Sequence, residues 1–367
     1  MKKTKIGILT YHNTLNYGAT LQAYALARKC HELGYECEIV NYVCKPIMRA
    51  YTIPMGLAIG KIPKSLFSYL ISSPWRKTLK REFDAFRNNY MSVSDKKYIR
   101  KTIHQAEREY DMFIVGSDQV WNTDLTFSDN SYFLDFIKDG KKKNSYAASF
   151  GRLRLSSIDE VALSKLLKDF QRILVREAKA LDLLSQLGRL DGEVVLDPTF
   201  LLTRDHWNDI CARECLVKKA YLLLFKVPNS YELDNYVQEY AKKNGLEIIY
   251  IHRTVRGKPY ANSVRCASPQ HFLQLIRDAH TVVTGSFHGI CFSLIFEKNF
   301  YYALQPNDRN VRMQDIMALI GLTGREIING RCAFEGKEIE YSDVQAILEK
   351  QRDRSVSLLS HMLAQDT

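Results

Sequence analysis

The sequence has no uninterrupted apolar stretch of the roughly 18 residues that a membrane-spanning helix requires. Its longest candidate, residues 282–296, is broken by Ser286 and His288. Behind the basic start Met1-Lys2-Lys3, the apolar run extends only from Ile6 to Leu9. That is shorter than the roughly 7-residue core of a secretory signal, so a cytoplasmic location is expected. The eight cysteines (30, 37, 44, 211, 215, 266, 291 and 332) form no Cys-x-x-Cys pair and have no zinc-like histidine spacing. Buried free thiols are expected, and no metal. Gly-x-Gly-x-x-Gly, a Walker loop and His-Glu-x-x-His are all missing, so nicotinamide, ATP and zinc chemistry lack their usual sequence supports. No fixed-period repeat or low-complexity tract occurs. What is present is an ordinary globular balance, 46% apolar and 25% charged, over 367 residues. That length suits two domains.

The formal net charge of +11 is local. Residues 61–101 hold 11 Lys or Arg against three acids (Glu82, Asp84, Asp95), a surplus of +8 that leaves +3 for the rest of the chain. Leu66, Phe67, Tyr69, Leu70, Ile71, Trp75, Phe83 and Phe86 interleave with these cations. Two readings fit: a peripheral membrane element, with the cations on anionic headgroups and the rings at the interface, or a helical excursion packed on the first domain by the same rings. No RNA- or DNA-binding signature accompanies the charge, so no nucleic-acid partner is expected.

Along the chain, Lys5–Leu9 reads as a strand, and a polar loop with Asn13, Thr14, Asn16 and Gly18 follows. Ala19, Ala23, Leu26, Cys30 and Leu33 then recur at helical spacing, with Gly34 as the helix stop. Residues 37–43 give the next strand, so the chain opens strand–helix–strand, the unit of a parallel α/β sheet. Further strands are expected at Met112–Val115, 145–149, Arg172–Val175 and 193–196. After Asp197-Pro198 the pattern restarts: strand 220–225, helix 231–244, strand Glu247–Ile251. A helix capped by Ser268 with Pro269 in its first position comes next, then strand Thr281–Thr284, another helix and strand 300–304. The last helix, about 342–363, carries the stripe Val344, Ile347, Leu348, Val356, Leu359 and Met362. The chain thus divides into a first Rossmann-like domain (1–203) with a basic helical insertion at about 52–105, a second (204–340) and a terminal helix (341–367). Two such domains in series suggest an active site in an interdomain cleft.

The strongest local feature is Thr284-Gly285-Ser286-Phe287-His288-Gly289, set between a strand and an apolar helix. A glycine-bracketed turn there exposes the first N–H groups of the helix, which favour an anion such as phosphate. His288 would stand beside that anion, although a capping or packing histidine fits the spacing equally well. Gly116-Ser117-Asp118-Gln119 follows its strand in the same way; Asp118 suits a general base, and also a helix cap. Arg176 ends the strand Arg172–Val175, where a guanidinium suits a carboxylate or phosphate, or a plain ion pair. All these clusters, with the 11–18 loop, fall at the carboxyl ends of expected strands, the edge where α/β proteins bind ligands.

Taken in order, several blocks resemble the polysaccharide pyruvyl transferases: Asn16-Tyr17-Gly18-Ala19 with Leu21-Gln22-Ala23, the run 113–122 around Gly116-Ser117-Asp118-Gln119, and 145–151. Val175-Arg176-Glu177, Leu196-Asp197-Pro198-Thr199 and Ser286-Phe287-His288-Gly289 continue the series. The resemblance covers about residues 5–325 and implies two Rossmann-like domains in a GT-B-like arrangement. It implies phosphoenolpyruvate as donor and co-substrate, with no further cofactor. The acceptor it implies is a sugar of a capsular or exopolysaccharide precursor, linked to a polyprenyl diphosphate, which receives pyruvate as a cyclic ketal with release of phosphate. By position, His288 matches the family's catalytic histidine and Arg176 an arginine on the donor; Ser286, Phe287 and Gly289 complete the donor turn. Asn16, Tyr17, Gly18, Ser117 and Gln119 fall to the acceptor or cleft, and Asp118 to the base. Some branches carry Arg where Ser286 stands here, which makes Arg309 and Arg312 the substitutes for charge neutralisation. A nucleotide-sugar glycosyltransferase of the same fold and an inactive saccharide-binding homologue are the alternatives.

Overall fold

The computed structural model describes residues 4–52, 62–127, 129–152, 154–155, 157–226, 232–252, 262–305 and 310–364. The chain forms two compact units, one of Met1–Tyr51, Arg87–Leu202 and Ile347–Thr367, the other of Thr52–Phe86 and Thr203–Ala346.

Among the described residues, the first unit carries seven strands: β1 (Lys5–Leu9), β2 (Glu36–Tyr42), β3 (Val93–Tyr98), β4 (Met112–Val115), β5 (Lys143–Ala148), β6 (Arg172–Val175) and β7 (Glu193–Val194). All pair in parallel, in the order β3-β2-β1-β4-β5-β6-β7. Parallel sheets are covered on both faces, so their central strands read as unbroken apolar runs; Met112–Val115 is buried at every position. The helix α1 (Tyr17–Glu32) buries Ala19, Ala23, Leu26 and Cys30 of the expected stripe, with Leu33 half-buried at its C-cap, and ends ahead of Gly34, whose φ of 94° only glycine adopts cheaply. Trp121 anchors the core among Phe133, Phe150 and Phe170, and its indole N–H donates to the Tyr132 carbonyl at 3.0 Å.

The second unit holds a five-stranded parallel sheet ordered β10-β9-β8-β11-β12, from β8 (Tyr221–Phe225), β9 (Glu247–Ile251), β10 (Asn262–Val264), β11 (Thr281–Thr284) and β12 (Asn299–Tyr302). After α1, the helices run in chain order α2 (Lys45–Thr52), α3 (Ile62–Tyr90), α4 (Thr123–Thr126), α5 (Ser157–Leu167), α6 (Lys179–Gln186), α7 (Arg204–Ile210), α8 (Glu232–Asn244), α9 (Pro269–Arg277), α10 (Phe287–Ile295) and α11 (Val311–Leu319). Ser268 caps α9 as expected, its side chain accepting the His271 N–H. In each sheet the order reverses beside the first strand, between β1 and β4 and between β8 and β11. Those two points are where open α/β sheets gather ligands.

The basic segment divides. Residues Ile62–Tyr90 form the helix α3, interrupted in sequence by Pro74, whereas Val93–Tyr98 is an edge strand of the first sheet and not part of a helical insertion. Lys96 and Lys97 on that edge discourage strand addition. Leu79, Phe83 and Phe86 of α3 are at most 1% exposed. They are core residues, so for Phe83 and Phe86 the packed reading holds and the membrane-interface reading does not. Leu66, Phe67, Tyr69, Leu70 and Ile71 lie outside the residues whose side chains are described. Trp75 and Leu79 stand beside Cys266, whose thiol donates to the Trp75 carbonyl at 3.3 Å. No disulfide joins any of the eight cysteines, five of which are buried. Burial pushes the Cys44 and Cys211 thiols up to about 12.

Candidate active site

At the carboxyl edge of the first sheet, the loops after β1 and β4 are bonded together. The Thr10 hydroxyl donates to the Ser117 carbonyl at 2.8 Å and accepts from Gln22 Nε2 at 3.0 Å; the Tyr11 hydroxyl donates to the Gln119 carbonyl at 3.0 Å. Gly116 is glycine because a Cβ there would lie 2.9 Å from Thr10 Cβ.

Asp118 has φ 82°, a left-handed conformation that costs a non-glycine residue on the order of 1–3 kcal/mol. A clamp holds it: the Asp118 carbonyl accepts from the Ser149 and Val120 amides, at 3.2 and 2.8 Å, and the backbone bridges to Ala148. The register of β5 shifts between Ser145 and Ala148, and Ala147 also has positive φ (53°). Bulges of this kind re-aim side chains next to functional sites.

Around Asp118 lies a charged network. The Arg176 side chain, 1% exposed, reaches Asp197 at 3.1 Å, Asp118 at 3.7 Å and Glu177 at 3.8 Å, and donates to Ser117 Oγ at 3.2 Å. Burial opposes its charge, but Asp197, Asp118 and Glu177 together hold its pKa above the ordinary value. Ser117 Oγ donates to Asp197 at 2.9 Å, and Ser149 Oγ to Glu177 at 2.6 Å. Asp197 also accepts from the amide and the hydroxyl of Thr199. The helix α12 (Tyr341–Ala364) braces this turn: Ser355 Oγ accepts the Leu196 N–H at 3.0 Å, and Arg352 donates to the Phe200 carbonyl at 2.7 Å. Arg176 and Ser117, expected on ligands, are both bonded within this network, and Arg176 pairs with Asp118, its half-buried member. Asn16 caps α1 by accepting the Ala19 N–H, and Tyr17 and Gly18 are buried in its first turn. Gln119 is half-buried, its side-chain oxygen accepting from Asn122.

His12, not singled out in the sequence, is 2% exposed in the loop after β1. Its Nδ1 lies 3.2 Å from the Thr10 carbonyl, which can only accept, so Nδ1 carries the proton. Desolvation, opposed by that bond and reinforced by Arg87, lowers its pKa to about 4.

In the second unit, the carboxyl ends of β8 and β11 are joined through Thr284, whose hydroxyl donates to the Phe225 carbonyl at 2.6 Å and accepts the Ser286 N–H at 3.1 Å. Ser286 stands at the N-cap of α10, yet its side chain makes no capping bond. Phe287, His288 and Gly289 form the first turn. Gly289 packs so closely on Thr284 that a Cβ would collide with its hydroxyl. His288 is 8% exposed and meets the Phe287 ring edge-on at 5.2 Å. Arg312 of α11 places its guanidinium over the Phe287 ring, 5.5 Å from the centroid, and so brings a cation to the start of α10. Arg309 lies outside the described residues. Among the described residues, no cluster of potential metal ligands occurs and no helix is long and apolar enough to cross a membrane.

Two Rossmann-type parallel sheets, each with polar residues gathered at its reversal point, define an α/β chain of the GT-B-like fold class. Solved structures agree on the fold. Methanocaldococcus jannaschii UDP-GlcNAc 2-epimerase, in complex with UDP-GlcNAc and UDP, is 13% identical over 98% of this chain and 100% of that chain, with a TM-score of 0.50. Arabidopsis thaliana UGT89C1 is 10% identical, with 100% of both chains covered and a TM-score of 0.52. At such identity the likeness shows fold alone. The sequence pattern of the polysaccharide pyruvyl transferases matches residues 16–304, and the chain belongs to that family. Among curated proteins, none matches the chain by sequence.

Proposed function

We propose that this polysaccharide pyruvyl transferase takes the pyruvyl group of phosphoenolpyruvate and sets it as a cyclic ketal on a sugar of a capsular or exopolysaccharide precursor carried on a polyprenyl diphosphate. The observation that carries the reading is the turn at residues 284–289, inside the family match: a helix start whose N-cap side chain makes no capping bond, with His288 in its first turn and Arg312 beside it. Helix-start amides and a guanidinium suit the two anionic groups of the donor.

The chemistry assigns the residues. A proton passes from His288 to the methylene carbon of the donor, which leaves the adjacent carbon electrophilic. One sugar hydroxyl attacks that carbon and gives up its proton, with Asp118 as the base. Phosphate departs with the C–O bonding pair, and a second hydroxyl closes the ketal with loss of its own proton. Arg312 holds the donor's carboxylate; Arg176, already engaged by three carboxylates, orients Asp118. The reaction calls for no cofactor beyond the co-substrate. A lipid-linked acceptor would bring the enzyme to the inner face of the membrane, where the cations of α3 would meet anionic headgroups.

His288→Ala tests the assignment, with donor binding and turnover measured separately. Turnover is expected to fall 10² to 10⁴-fold, the usual worth of a general acid. Turnover within tenfold of the wild type removes His288 as the proton donor.

A further inference from the structure

We propose that Thr284 is a positioning residue of the donor site: its hydroxyl sets the shape of the turn that presents the start of α10. This inference rests on the donor reading above and gives a role to a residue of that turn to which the reading assigned none. Thr284 is fully buried, so its hydroxyl has no contact with solvent and acts only through its neighbours. Those neighbours belong to three elements. It donates to Phe225 at the end of β8, accepts from the Ser286 N–H ahead of α10, and lies under Gly289 in the first turn of α10. The Phe225 carbonyl also accepts the Gly285 N–H at 3.2 Å, so both residues between β11 and α10 are tied inward.

Two consequences follow. The Ser286 N–H points at Thr284, so an anion at this turn is received by the later N–H groups, those of Phe287 to Gly289. The Gly289 backbone can approach Thr284 only because neither a Cβ at 289 nor a bulkier residue at 284 intervenes, and this approach fixes the direction of the helix start relative to the strand. Replacing the hydroxyl by a methyl group leaves the Phe225 carbonyl and the Ser286 N–H without this partner, and buried backbone groups then shift to find others. A shift of about 1 Å is enough to spoil a preorganised anion site.

The test uses the full chain as Thr284→Val and Thr284→Ser, with two readouts. Hydrogen exchange of the Ser286 amide, measured without ligand, reports the turn itself: it is expected to quicken at least tenfold in T284V and to stay within threefold of wild type in T284S. Calorimetric binding of phosphoenolpyruvate reports the site: the dissociation constant is expected to rise at least tenfold in T284V and less than threefold in T284S. Unchanged exchange and unchanged affinity in a folded T284V overturn the proposal. Should T284V fail to fold, T284S decides, since a folded serine variant that loses tenfold in affinity shows that the hydroxyl is not what matters. A wild type that binds no phosphoenolpyruvate overturns the donor reading, while the exchange data still report separately whether Thr284 sets the turn.

Discussion

His12 shows how a single buried group couples this fold to pH. In the unfolded chain it titrates near 6.5; in the folded protein burial holds it near 4. Above pH 6.5 both states are neutral and the group contributes nothing. As pH falls below 6.5, the unfolded chain takes up a proton that the folded chain refuses, so stability is lost progressively down to about pH 4. At 1.36 kcal/mol per unit the loss approaches about 3 kcal/mol. His12→Gln, which cannot titrate, should narrow the gap between the melting temperatures at pH 7.5 and pH 5. An equal gap in both proteins would mean that His12 is protonated in the fold. Asp118 illustrates another residue-scale effect, a strained backbone paid for by two amide bonds to its carbonyl and a bridge to Ala148. Nothing in the sequence around residue 118 signals φ 82°. The partners of Arg176 are equally hidden, because Ser117 lies 59 residues away and Asp197 lies 21 residues away. The local sequence places Arg176 at a strand end, and no neighbour within a few residues distinguishes a ligand from an internal carboxylate as its partner.

At the scale of elements, α3 holds six Lys or Arg against two acids, a surplus of +4 within the chain's +11, yet its residues Leu79, Phe83 and Phe86 are buried. Phe83→Ala should cost about 3–5 kcal/mol, the usual loss for a buried Phe. It should leave co-sedimentation with anionic liposomes unchanged, because the ring faces protein. A variant with wild-type melting and weakened liposome binding would place Phe83 at a membrane instead. The strands were legible where burial on both faces forces an apolar run, as in Met112–Val115 and Thr281–Thr284. The capped start of α9 was legible through Ser268-Pro269. Val93–Tyr98 was not, because Ser94, Asp95, Lys96 and Lys97 give an edge strand the composition of a solvated segment. Asn262–Val264 is three residues long and only partly buried, too short for a periodic signal.

At the scale of the whole molecule, two parallel sheets with the same kind of reversal explain why the carboxyl ends of β1, β4, β8 and β11 collect the polar motifs. The fold by itself is shared with proteins that handle nucleotide sugars, so it cannot name the donor. The most direct test of the account supplies the enzyme with a panel of lipid-linked saccharides and either phosphoenolpyruvate labelled in its carbon skeleton or a labelled UDP-sugar. The account predicts label in the saccharide from phosphoenolpyruvate alone, with one phosphate released per pyruvyl group gained. Label arriving from the UDP-sugar, with none from phosphoenolpyruvate, would contradict it.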